Sequence, residues 1–136
     1  MNDDERLRRL DEILDRIQSM SSDHVILVEG KNDRRSLLDL NLSLDTIEVQ
    51  RDGGPLRAAE MVYESGKKAI ILTDWDDRGD RLAKDLSEQL SALCISYDMN
   101  IRKDLRDICI KDIKDVESLH SLYVRLERNV LRHIVT

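Results

Sequence analysis

Apolar and polar positions along the chain alternate between helical spacing and strand-like runs. Leucine and isoleucine recur at helical intervals in the first stretch, which predicts an amphipathic helix over 3–20. Four short segments, HVILVEG, TIEVQ, KKAIILTD and CISY, are apolar or alternating and predict strands. The segments between them have helical spacing, and we expect Asn32 or Asp33 to be the N-cap of the first of these helices.

Regular alternation of strands and helices is typical of a doubly wound parallel sheet with helices on both faces. The run HVILV has only one polar position, at its start, which indicates burial on both faces, as in a parallel sheet. We therefore predict a single α/β domain over 1–136, with a core of about 23–97 and a C-terminal helical extension of about 101–134. Ligands of such folds bind beyond the carboxyl ends of the strands.

Composition and charge indicate a globular protein and argue against a membrane protein. The 136 residues are 40% hydrophobic, which is enough for one packed core, and no apolar run approaches the roughly 20 residues that cross a bilayer. The charged start and the two isolated cysteines predict a cytoplasmic protein with no membrane partner. The net charge of -6 does not suggest a surface coated with positive charge, but a carboxylate-bound metal could still hold nucleic acid.

Carboxylates follow the first and the third predicted strands. Glu29 comes directly after HVILV, and Asp74 and Asp76 come after KKAIIL. If these two strands are neighbours in the sheet, the three carboxylates converge. Oxygen ligands suit Mg²⁺, and Glu29 would either complete the metal site or transfer a proton. Gly79 would allow a tight turn into the next helix, whose first amides can hold an anion.

The two segments resemble the signature motifs of the Toprim domain, which topoisomerases, primases, certain nucleases and recombination proteins share. VEGKND matches the glutamate–glycine motif of that family, and TDWDDRG matches its Asp-any-Asp motif. The resemblance covers about 23–97, and VEGKNDRRSL is most similar to the small stand-alone primase-like and ribonuclease-like branch. It implies the strand order 2-1-3-4, Glu29 as general acid or base, and Asp74 and Asp76 as ligands of Mg²⁺, with Mn²⁺ as an alternative.

The matched motifs also nominate supporting residues. The resemblance implies a supporting role for Asp33, and Gly30 and Gly79 are the motif glycines. Taken alone, each basic pair is interpreted as a solvated surface, but basic side chains near the expected site could steer a phosphodiester toward the metal. These candidates are Lys31, Arg34, Arg51, Arg78 and Arg81.

Two functions fit the pattern. The first is Mg²⁺-dependent phosphodiester chemistry on nucleic acid, namely hydrolysis of RNA or DNA. The second is a non-catalytic, metal-dependent nucleic-acid-binding or primase-like module of a larger complex, which docks a protein partner or a second copy through its terminal helices. The complete acidic set favours the enzyme, whereas the small size of the chain favours the module. A complete primase is not expected, because the chain has neither a zinc domain nor a large basic domain.

Overall fold

The computed structural model describes residues 1–135, and four of its segments form one parallel sheet. The strands are β1 (His24–Val28), β2 (Asp45–Glu48), β3 (Lys68–Ile71) and β4 (Tyr97–Asp98). They lie in the order β2-β1-β3-β4, and each neighbouring pair is parallel. The sheet and its strand order confirm the predicted α/β architecture, and β1 lies beside β3 as the site prediction requires.

Helices cover both faces of the sheet. They are α1 (Asp3–Ser19), α2 (Lys31–Asp39), α3 (Pro55–Ser65), α4 (Asp77–Ala92), α5 (Asn100–Cys109) and α6 (Leu119–Val135). Alternate residues of a strand point to opposite faces. Ile26 and Ile70 therefore pack against α1, α2, α5 and α6, whereas Leu27 and Ile71 pack against α3 and α4. Two hydrophobic cores result, one on each side of the sheet.

The first helix after β1 begins differently from the prediction. Gly30, not Asn32 or Asp33, is the N-cap of α2. Asp33 lies within the first turn, and its Oδ2 accepts a hydrogen bond from the main-chain N–H of Gly30 at 3.0 Å. The helix therefore starts right behind Glu29, because the side chain of Asp33 caps the turn from inside the helix.

The C-terminal region is also divided differently. The expected helical extension over 101–134 is two helices, α5 and α6, and residues 110–118 between them are not helical. We call residues 110–118 the C-terminal loop. The predicted fourth strand, CISY, is shorter and later, at Tyr97–Asp98. None of the helices within residues 1–135 is long and apolar enough to cross a bilayer.

Candidate active site

Two acidic residues meet at the carboxyl ends of β1 and β3. Glu29 directly follows β1, and its Oε2 accepts a hydrogen bond from the main-chain N–H of Asp74 at 2.9 Å, across 45 residues of sequence. Pairing of the two strands continues up to this point, because the main-chain N–H of Leu72 donates to the carbonyl of Leu27. Glu29 is only 5% exposed. A parallel register thus brings the two predicted residues together.

Asp74 is half-buried and surrounded by other acids. Its Oδ1 accepts a hydrogen bond from the main-chain N–H of Val116 at 2.9 Å. Burial, together with the charges of Asp33 and Glu29, raises the pKa of Asp74 to about 8, although the Val116 hydrogen bond opposes the rise. The ionised form is therefore disfavoured, and a nearby cation would relieve the repulsion.

Asp33 belongs to the same acidic group. Burial, together with the charges of Glu29, Glu117 and Asp115, raises its pKa to about 6, although the hydrogen bond from the Gly30 N–H opposes the rise. Asp33, for which a supporting role is predicted, thus lies near enough to Glu29 for their charges to interact. Asp115 and Glu117 lie in the C-terminal loop, which the sequence pattern assigned to a continuous helix.

Asp76 occupies a different position from Asp74. It is exposed and is the N-cap of α4, where its Oδ1 accepts a hydrogen bond from the main-chain N–H of Gly79 at 2.7 Å. Its second carboxylate oxygen is not used by the cap. The structure therefore connects Glu29 to Asp74 by a hydrogen bond and brings the charge of Asp33 near both, whereas Asp76 caps the start of α4.

The C-terminal loop closes one side of the site. The main-chain N–H of Trp75 donates to the carbonyl of Lys114 at 3.0 Å, and the indole Nε1 donates to the carbonyl of Ile113 at 2.8 Å. Together with the Val116–Asp74 bond, these contacts fasten the loop to the segment that carries both predicted metal ligands. No Gly or Pro in the loop signals this break in helical spacing.

Three of the predicted basic side chains lie near the carboxyl ends of β1 and β2. The Nη2 of Arg78 lies 3.6 Å from Oε1 of Glu29, although the Arg78 side chain is 69% exposed. Arg34 and Arg51 both contact Oε2 of the buried Glu48, at 3.3 and 3.6 Å. Glu48 ends β2, so this arginine pair lies one strand away from Glu29.

The two other predicted basic residues are exposed on helices. Lys31 begins α2, and Arg81 lies in the second turn of α4. Both helices start at the carboxyl edge of the sheet, which keeps these cations on the same side as the acidic group.

Sequence analysis missed one buried cation, Arg102. Its Nε donates to the carbonyl of Thr73 at 3.0 Å, and its Nη2 donates to the carbonyl of Asp74 at 2.6 Å and to Oδ1 of Asp80 at 2.6 Å. The sequence does indicate the burial of this residue, because Arg102 shares a helical face with the apolar residues Leu105 and Cys109. A charged residue on an apolar helical stripe indicates a buried partner.

The donor set suits a hard divalent cation. Within residues 1–135 no three His, Cys, Asp or Glu side chains stand together as a ready-made metal cage. Mg²⁺ does not need one, since it usually keeps several waters and takes one or two carboxylates. Asp74, with its acidic neighbours and raised pKa, has the electrostatic character that such a cation stabilises. Asp74 and Asp76 are the predicted ligands of such an ion, and the carboxylate of Glu29 contacts the main chain of Asp74.

Comparisons with known proteins identify relatives along most of the chain. No protein-family model matches it. A UPF0292 protein of Methanosarcina acetivorans is 39% identical over 122 residues, which cover 89% of this chain and 84% of that protein. A UPF0292 protein of Thermococcus sibiricus is 34% identical over 123 residues, covering 90% and 94%.

A solved structure of a protein from Aquifex aeolicus is also similar. It superposes with a TM-score of 0.69 at 29% sequence identity, covering 80% of this chain and 96% of that chain. This similarity supports the α/β fold with its parallel sheet. Because curated relatives above 30% identity match nearly the whole length of the chain, the protein belongs to the UPF0292 family.

Proposed function

We propose that this protein is a Toprim-like, Mg²⁺-dependent phosphodiesterase that hydrolyses RNA or DNA. The observation that carries the proposal is the contact between Oε2 of Glu29 and the main-chain N–H of Asp74. It sets a glutamate against an Asp-any-Asp segment at the ends of adjacent parallel strands. The resemblance of both motifs to the Toprim domain supports the same assignment, with Mn²⁺ as an alternative ion.

Glu29 has the geometry of a proton-transfer group. Its Oε2 is held by the Asp74 amide, which leaves Oε1 to accept or donate a proton on the side where Arg78 lies. A bound Mg²⁺ would polarise a phosphoryl oxygen and lower the pKa of a coordinated water. Arg78, exposed and 3.6 Å from Oε1, is placed to bind the scissile phosphate and bring it to Glu29.

A phosphodiester chain would be held by the basic residues on the open side. Arg34 and Arg51 flank the end of β2, Lys31 begins α2, and Arg81 lies in the second turn of α4. These local cations attract phosphate although the net charge of the chain is -6. We propose nucleic acid as the partner and the cytoplasm as the place of action.

A second candidate function is a non-catalytic, metal-dependent nucleic-acid-binding or primase-like module. The near-complete burial of Glu29 favours it, because a proton-transfer group must reach its substrate. The exposure of Leu131 (64%) and Ile134 (75%) at the end of α6 is also consistent with docking of a protein partner or a second copy. The two candidates differ in whether any phosphodiester bond is broken.

The deciding experiment compares three substrates. Wild-type protein is incubated with structured RNA, single-stranded DNA or duplex DNA, each with Mg²⁺, with Mn²⁺ or with a chelator. The enzyme hypothesis expects product only with a metal ion and from at least one substrate. Metal-dependent retention of nucleic acid without product would support the binding module, and the absence of both would refute both candidates.

A further inference from the structure

Arg102 is a buried cation whose contacts all lie on the segment that carries the acidic site. Its side chain is 8% exposed, whereas its ion-pair partner Asp80 is 54% exposed. The guanidinium reaches the carbonyls of Thr73 and Asp74, just beyond the end of β3. One side chain of α5 thus connects the end of a strand, the turn after it and the first turn of α4.

The hydrogen bonds of Arg102 go to two main-chain carbonyls that have no partner in the sheet. The strand pairing of β3 ends before Thr73, so its carbonyl and that of Asp74 need other donors once they are buried. A guanidinium offers five N–H donors in a fixed plane, which lets it fix the relative orientation of two peptide groups. A buried charge costs free energy unless its donors are used, and here the Nε and Nη2 donors are used.

Independent contacts hold the same turn. A Cβ added at Gly79 would lie 1.8 Å from the carbonyl oxygen of Asp74, so the first turn of α4 packs directly on that peptide. The hydroxyl of Thr73 donates to the carbonyl of Gly79 at 2.7 Å. Because Glu29 binds the N–H of Asp74 and Arg102 binds its carbonyl, the main chain is fixed on both sides of this residue.

We infer that Arg102 is a positioning residue for the divalent cation, acting through the main chain of Asp74. The inference rests on the proposed function, since it assumes that Asp74 binds the ion. Arg102 makes no contact with the Asp74 carboxylate among its hydrogen bonds; it fixes the peptide from which that carboxylate projects. Side chains that orient metal ligands in this way change metal affinity by about 10–100-fold when they are removed.

The test measures Mg²⁺ affinity through Trp75, the single tryptophan of the chain, which lies between Asp74 and Asp76. Fluorescence and calorimetric titrations compare wild type with Arg102→Gln, Arg102→Lys and Asp80→Asn. The matched control is Arg106→Gln on the same helix, because Arg106 pairs only with its neighbour Asp107 among the salt bridges of residues 1–135. Unfolding curves without metal give the stability of each variant separately.

We expect Arg102→Gln to bind Mg²⁺ about 10–100-fold more weakly than wild type. Arg102→Lys should recover part of the affinity because it keeps a donor and the charge, and Arg106→Gln should match wild type. A purely structural role would lower the unfolding midpoint of Arg102→Gln and leave the affinity of the folded protein unchanged, which would overturn the inference.

Two milder substitutions, Arg102→Lys and Asp80→Asn, test the inference even without the glutamine variant. If Arg102→Gln does not fold, wild-type affinity in both Arg102→Lys and Asp80→Asn would overturn the inference, and weakened affinity in Arg102→Lys would support it. Failure of wild type itself to bind Mg²⁺ is a separate result. It would overturn the proposed function, and the role of Arg102 with it.

Discussion

Oε2 of Glu29 accepts a hydrogen bond from the main-chain N–H of Asp74 at 2.9 Å. This contact ties the position of the glutamate to the segment that follows β3, so the two predicted motifs act as one structural unit. The carboxylate of Asp74 accepts a separate hydrogen bond from the main-chain N–H of Val116.

Divalent metal should stabilise the folded protein through Asp74. Mg²⁺ at 100 times its Kd adds about 2.7 kcal/mol to the free energy of unfolding, because it binds only the folded state. Asp74→Asn should abolish most of this gain and raise the metal-free Tm, since it removes a carboxylate whose pKa the site raises to about 8. Thermal unfolding with and without Mg²⁺ measures both effects.

The control for that prediction is Asp85→Asn, on the exposed surface of α4. It changes the net charge equally, so it should respond to Mg²⁺ as wild type does. An Asp74→Asn variant that gains as much stability from Mg²⁺ as this control would contradict the metal assignment.

Metal-free stability should fall as pH rises. The pKa of Asp33 is raised to about 6 and that of Asp74 to about 8 in the folded state, above the ordinary 3.8. For a raised pKa, the unfolded chain releases its proton first, so stability is full below about pH 4 and is lost as pH rises through the folded values. Urea unfolding midpoints between pH 4 and 9 measure the decline.

The substitution Asp33→Asn and bound Mg²⁺ should each reduce the dependence of stability on pH. Asp33→Asn should reduce the slope between about pH 4 and 6, where both carboxyls contribute, and leave the decline between about pH 6 and 8, which belongs to Asp74. Saturating Mg²⁺ should reduce the slope near pH 8, because the ion competes with the proton for Asp74. A profile that rises with pH in the same window would show that the acidic group is not repulsive.

Glu29→Gln should separate binding from chemistry. Glutamine keeps an oxygen that can accept the Asp74 N–H, so the fold and Mg²⁺ binding should persist. It cannot act as a base, and loss of a general acid or base lowers the rate by about 10²–10⁴-fold. Gel shift and product formation on one labelled RNA measure the two properties, with exposed Glu60→Gln as control. Equal cleavage by both variants would rule out proton transfer by Glu29.

Gly79→Ala should disrupt the site, whereas Gly30→Ala should not disrupt the fold. A methyl group at Gly79 would meet the Asp74 carbonyl at 1.8 Å, and such overpacking costs about 1–3 kcal/mol. At Gly30 the nearest atom is 3.8 Å away, on Gln50, so alanine is accommodated at about 1 kcal/mol or less. Denaturant unfolding distinguishes the two. Loss of cleavage by a stable Gly30→Ala variant would indicate that the substrate approaches this glycine.

Phosphate contacts by Arg51 and Arg78 should appear in the salt dependence of nucleic-acid binding. Each lost contact with a single strand should reduce the slope of log K against log salt by about 0.7. Both side chains are largely exposed, so their replacement by alanine should leave the fold intact. Arg9→Ala on α1, where Arg9 pairs with Glu5, serves as control and should keep the wild-type slope. Unchanged slopes in all variants would place the nucleic acid elsewhere.

The sequence allowed prediction of the features that depend on strand pattern. Buried apolar runs indicated a parallel sheet, and its register then brought Glu29 and Asp74 together. The hydrogen-bond donors that complete the site come from distant parts of the chain. The periodicity of a local segment does not show which distant residues it contacts. Val116 lies 42 residues from Asp74, and Arg102 lies 28 residues from it. Helical spacing predicts a helix through the C-terminal loop because Val116 is in register with Leu119, Tyr123 and Leu126.

The C-terminal loop also determines when the acidic site can exist. Chains emerge from the ribosome with the N-terminal end first, and the strands through β4 are made before Lys114 and Val116. Until those residues emerge, Trp75 lacks its carbonyl partners and Asp74 lacks its amide donor. A nascent chain therefore carries the acidic side chains for some time before it can hold them in place, and the site is complete only after the C-terminal loop has been made.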